Sequence, residues 1–157
     1  MKKINFLIKL KKEGKLKEVN PSKEISNSYA GKSESNIISA KILLENNRLE
    51  ESVSLAYYSM YNMLTALLFQ IGIKCENHFC SIITAEKLLG AEKTATINQQ
   101  KEKRIDAQYY IRIGKEEEVK QMLIKAKIFV SEFDTLTSNL TNKEIEEHRN
   151  KFKSLIK

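Results

Sequence analysis

A chain of 157 residues with 41% hydrophobic content has room for one domain with a buried core, and not for two. Five glycines and one proline are too few to separate many short strands, so sandwiches and barrels are excluded and an all-α protein is expected. The net charge of +7 is concentrated in residues 1–17, which hold seven lysines against Glu13 alone; the nearly neutral remainder gives no support for a broad basic face for nucleic acid.

Residues 1–19 read as a basic N-terminal arm. Such an arm can attract phosphate backbones or anionic surfaces, or it is a solvated lysine-rich helix docked by Ile4, Leu7, Ile8 and Leu10. Its short apolar patch contains Asn5 and no small-residue cleavage site follows, which does not suit a signal peptide. Asn20 and Pro21 read as a helix start, with Asn20 as cap and Pro21 preset for the first turn. Tyr29, Ile37, Ala40, Ile42, Leu43 and Leu44 then supply an interrupted apolar face up to a turn at Asn46 and Asn47, with Gly31 as a point where the helix can break.

A second helix is predicted from about Asn47, where Asn47 and Glu50 resemble a capping box, to Gly72. It is apolar around most of its circumference, through Leu55, Tyr58, Met63, Leu67, Leu68 and Ile71, so it must be central. Ser54, Ser59, Asn62, Thr65 and Gln70 interrupt it too often for a membrane span. A short helix follows from about Asn77 to Leu89, stopped at Gly90, and another from about Glu92 to Ile113, stopped at Gly114.

The cleanest periodicity is Val119, Met122, Leu123, Ala126, Phe129, Val130, Phe133 and Leu136, with Glu116 to Glu118 at the positive helix end. Thr141 and Glu144 form a capping box that opens a last helix through His148 to about Ile156. Residues 20–157 are therefore assigned to one helical bundle. Two cysteines are too sparse for a disulfide framework, and with no membrane span a cytoplasmic location is expected.

Three groups of residues could carry chemistry. Cys75, His78 and Cys80 are soft metal ligands, but a structural zinc site needs four and no second pair exists, so no metal is expected and the cysteines read as small apolar residues at a helix start. Tyr57, Tyr58 and Tyr61 can stack bases, or pack inward with their hydroxyls partnered. Lys101, Lys103, Arg104 and Asp106, followed by Gln108, Tyr109 and Tyr110, form the densest polar group on an apolar-bearing helix. Arg104 could clamp a phosphate, with Asp106 orienting it or acting as a base; alternatively both are surface residues in a modest ion pair. No glycine-rich phosphate loop or Walker lysine is present, so no cofactor is implied and any nucleotide must be held by side chains.

From about Ser22 to Leu136 the chain resembles the HEPN domain family, in its stand-alone prokaryotic branch. The matching residues are Ala56, Tyr57, Tyr58, Met60 and Tyr61, the Gly72–Lys74 loop, His78 soon after, and Arg104 with Ala107 and Tyr109. The resemblance implies an antiparallel bundle of about five main helices, commonly a homodimer, with a cleft lined by the polar motif. Many members of the family look like metal-independent ribonucleases, often toxins paired with a small nucleotidyltransferase antitoxin.

Their activity rests on an arginine followed, after four to six intervening residues, by a histidine, and in this chain that window falls on Tyr109, Tyr110 and Ile111. A phenol with a pKa near 10 is a poor base at neutral pH. The implied function is therefore a module that binds RNA or a nucleotide through Arg104, Gln108, Tyr109 and Tyr58, beside a nucleotidyltransferase partner. A ribonuclease using Arg104 with Asp106 or His78 is the alternative, and a structural dimerisation module the second alternative.

Overall fold

In the computed structural model the described residues are 1–109 and 115–157, the side chains of Gln108 and Tyr109 excepted. In chain order the elements are α1 (Lys2–Lys12), β1 (Leu16–Glu18), α2 (Lys23–Glu45), α3 (Leu49–Ile71), β2 (Ile73–Cys75), α4 (His78–Leu89), α5 (Ala91–Tyr109), α6 (Glu116–Ser138) and α7 (Asn142–Leu155). The fold is all-α, as the composition predicts, but seven helices form among the described residues and a small sheet joins them. The predicted stop at Gly114 lies outside the described residues.

The core is built around α3, which packs against α2, α4, α5, α6 and α7. Ala56, Met60, Met63, Leu64, Leu67 and Ile71 are buried along it; each large apolar side chain there contributes about 1.5–3 kcal/mol of transfer free energy. Small residues let α2 approach closely: Ser26, Ser33 and Ala40, spaced seven apart, form its buried seam. Ser33 Oγ donates to the Ser59 carbonyl at 2.6 Å, and Ser52 Oγ donates to the Ala40 carbonyl at 2.8 Å. These bonds satisfy hydroxyls that are otherwise costly to bury. The predicted stripe of α6, with Val119, Met122, Leu123, Ala126, Phe129 and Phe133 buried, packs against both α3 and α2.

The basic segment is docked, the second of its two sequence readings. Leu7 is fully buried and Leu10 nearly so, with Ile4 and Ile8 half-buried beside them. Beyond the turn at Gly14, β1 pairs antiparallel with β2, in the register Leu16 with Cys75, Lys17 with Lys74 and Glu18 with Ile73. Cys75 therefore lies in a strand, whereas Cys80 is buried in the first turn of α4.

Three predicted helix starts or breaks are corrected. The cap of α2 is Ser22, which accepts from the Ile25 amide at 3.1 Å, and not Asn20. The reason is tertiary: the Val19 and Ser22 amides donate to the Gly72 and Phe69 carbonyls, which keeps the chain extended past Pro21. Asn47 does not cap α3, because it takes φ 57° in the turn that ends α2; the cap position falls to Arg48, which pairs with Glu51. Gly31 does not break α2, which runs unbroken from Lys23 to Glu45.

Gly72 ends α3 as expected, at φ 90°, with its amide donating to the Leu68 and Phe69 carbonyls. Arg149 of α7 completes this cap. Its Nη1 donates to the carbonyls of Val19, Ile71 and Gly72 at 2.9–3.0 Å, and its side chain is 14% exposed. The Thr141–Glu144 capping box at the start of α7 is present in full.

Candidate functional site

Three elements converge beside the β2–α4 corner. From α3 come Tyr57, Tyr58 and Tyr61; Asn77, which accepts from the Cys80 amide at 3.0 Å, caps α4 and sets His78 and Phe79 on its first turn; α5 supplies Lys101 and Arg104. Lys101 and Arg104 are three residues apart and so share one helix face. Tyr58, Glu76, Asn77, His78, Phe79, Lys101 and Arg104 line an open depression of about 440 Å³.

His78 is held by the tyrosines on α3. Its ring stacks on Tyr61 with centroids 3.7 Å apart, meets Tyr58 edge-on at 5.7 Å, and has Nδ1 3.2 Å from the Tyr57 hydroxyl. That hydroxyl can donate to Nδ1 or accept from it, so it orients the ring in either tautomer. Burial, with the nearby Arg104 and Lys101 charges, lowers the His78 pKa below its usual value and favours the neutral ring. Burial pushes the Tyr57 phenol up to about 12, so it stays protonated and is no base.

Arg104 Nη1 donates to the Tyr58 hydroxyl at 3.2 Å, and its guanidinium stands over the Tyr57 ring at 4.8 Å and the Tyr58 ring at 5.5 Å. These contacts fix a planar, permanently charged donor group at the wall of the depression. The positive end of α4 adds to the same field. Glu76 is the one carboxylate among the lining residues, and it is drawn toward Lys74 at 3.4 Å.

Of the residues singled out in the sequence, Arg104, Lys101, His78 and Tyr58 meet here. Asp106 does not line the depression: two positions along a helix rotate a side chain by about 200°, away from Arg104. Gln108 and Tyr109 lie in the last turn of α5, with side chains outside the described residues. Phe79 and Glu76 had no sequence signal, since nothing in their neighbours marks an exposed ring or a rim carboxylate.

Among the described residues no group of three or more potential ligands is placed to hold a metal. The Cys75 thiol is pushed well up by the adjoining Cys80 sulfur and by burial, which disfavours a thiolate there. A second groove of about 420 Å³, between α2 and α6, opposes Lys127 with Glu34 and Asp134. It gives no comparable excess of positive charge. No described helix is long and apolar enough to cross a membrane.

No curated protein matches the chain. The family model described as HEPN domain matches residues 27–136, a span that runs from the first turns of α2 through α3, α4 and α5 to the end of the α6 stripe and includes every lining residue of the depression. The chain belongs to the HEPN domain family.

Proposed function

We propose that this HEPN module binds RNA or a nucleotide by its phosphate at the Arg104 depression. The observation that carries this reading is the convergence of the Arg104 guanidinium, the Lys101 ammonium and the first turn of α4 on one concavity beside a histidine that favours its neutral form. A guanidinium can donate two parallel hydrogen bonds to a phosphate, and a helix start supplies free amides of the same polarity. We further propose a homodimer acting beside a nucleotidyltransferase partner, as the family resemblance implies, in the cytoplasm, where two sparse, unpaired cysteines suit a reducing compartment.

Fluorescence anisotropy with a labelled single-stranded RNA tests the reading. Arg104→Ala weakens binding by about tenfold or more, the scale of a lost charge-assisted bond. Lys143→Ala, at an exposed site on α7, leaves it within about twofold. Equal losses in the two variants would reduce the interaction to nonspecific charge. Light scattering on the full chain tests the dimer, and a monomer at working concentration removes it.

A second reading, a metal-independent ribonuclease, is favoured by one observation: His78 places an imidazole beside Arg104 although the sequence window after Arg104 has no histidine. A neutral imidazole can take the proton of a ribose 2′-hydroxyl while the guanidinium holds the phosphate. Cleavage of single-stranded RNA in chelator, abolished by both Arg104→Ala and His78→Ala, is the expected result. Activity that survives either change belongs to a contaminant or another site.

A further inference from the structure

We infer that Phe79 is a base-stacking platform, so that the depression takes a whole nucleotide unit, base and phosphate together, and not an isolated phosphate. This rests on the phosphate reading proposed above. Phe79 is 38% exposed although it sits in the first turn of a helix whose other apolar residues are largely buried. It lines the same concavity as Arg104. Among the other rings there, Tyr58 is engaged by Arg104 and stands perpendicular to His78, and His78 is stacked on Tyr61.

The platform is buttressed from α1. Phe6 of α1 packs tilted against Phe79 with centroids 5.3 Å apart, and α1 is tied to α4 by Lys3 and Glu86 at 2.7 Å as well as by buried Leu7. Lys101 connects the ring to the phosphate donors: its ammonium stands over the ring at 4.4 Å, one helical turn from Arg104. A base arriving on that face displaces the flexible ammonium toward the phosphate. Base–aromatic stacking, at about 1–3 kcal/mol, matches or exceeds the single cation–π contact it replaces. Because every base has a π-face, the platform selects nucleotides without selecting sequence.

Titrations of the full chain with adenosine 5′-monophosphate, ribose 5-phosphate and adenosine, followed by amide NMR shifts, test this. The nucleotide binds about tenfold more tightly than ribose 5-phosphate, the scale of one stacked base. Phe79→Leu removes that preference and Phe79→Tyr keeps it. Equal affinity for the nucleotide and ribose 5-phosphate in the unaltered chain, or an unchanged preference in Phe79→Leu, overturns the platform while leaving the phosphate reading intact. If adenosine binds as well as the nucleotide and is lost in Phe79→Leu, the platform stands and the phosphate reading fails. Binding of none of the three overturns both.

Discussion

The Tyr57 hydroxyl stands 3.2 Å from His78 Nδ1, and the Tyr61 ring covers the same imidazole at 3.7 Å; burial, and then the Arg104 and Lys101 charges, oppose a proton on it. Folding therefore disfavours protonation of His78. His148 on α7 is shifted the same way by burial and by Lys151. For a histidine whose folded pKa lies below its unfolded value of about 6.5, the native state binds fewer protons, so stability is fully present above that value and falls as pH drops toward the folded pKa.

Thermal unfolding thus shifts to lower temperature between pH 7.5 and pH 5. The lowered carboxylates Glu13, Glu51 and Glu144 act further down, below the usual carboxylate value of 4.5, so they do not confuse this window. A His78→Gln, His148→Gln double variant gives a flatter profile. An equally steep decline in the variant would mean that other groups control it.

The cap shared by Gly72 and Arg149 predicts a coupled loss of stability. A Cβ at Gly72 would overlap the Arg149 guanidinium and the Val19 carbonyl, and the residue sits at φ 90°. Gly72→Ala therefore costs about 2–4 kcal/mol, from left-handed strain plus displacement of the cap. Arg149→Met removes a donor from three carbonyls, of which that of Gly72 keeps the Val19 amide, and costs about 2–3 kcal/mol. Because both changes break one contact, urea denaturation of the double variant shows less than the sum of the single losses. Strict additivity would place the two effects in separate contacts.

How far the site was legible follows from which relationships run along one helix and which cross between helices. The centrality of α3 could be read because its apolar residues encircle it, and its end because Gly72 must accept positive φ. The three-residue strands could not, since they are too short to show alternation and depend on where the Gly72 turn aims β2. Arg104 and Tyr58, 46 residues apart, meet because α3 and α5 pack side by side. Asp106 misleads in the opposite sense, since proximity along the chain is not proximity on a helix surface. Arg149 reaches Gly72 across 77 residues, and no local pattern announces it.

Docking of α1 predicts that the basic segment is part of the folding unit. Leu7 is fully buried in the main hydrophobic core, where α1 packs on α4 and β1. Leu7→Ala costs about 2–5 kcal/mol in urea denaturation, the range for deleting a buried leucine side chain. Lys12→Ala, at an exposed position on the same helix, changes stability by less than about 0.5 kcal/mol. If the two variants unfold alike, α1 is not held by its apolar face.

Anion binding and His78 protonation are linked, and the sign is fixed. A phosphodiester beside Arg104 and Lys101 offsets the two charges that help keep His78 below its ordinary pKa, so the bound state accepts a proton more readily than the free one. By reciprocity, protonation tightens binding by the same factor. The affinity for single-stranded RNA, whose phosphodiesters do not titrate near neutrality, therefore rises as pH falls from 7.5 toward 6, and His78→Gln removes the rise. Calorimetry in buffers of different ionisation enthalpy reads the proton uptake directly. No uptake, with an affinity independent of pH, would mean that the phosphate sits too far from His78 to share its field, and would move the binding site away from the depression.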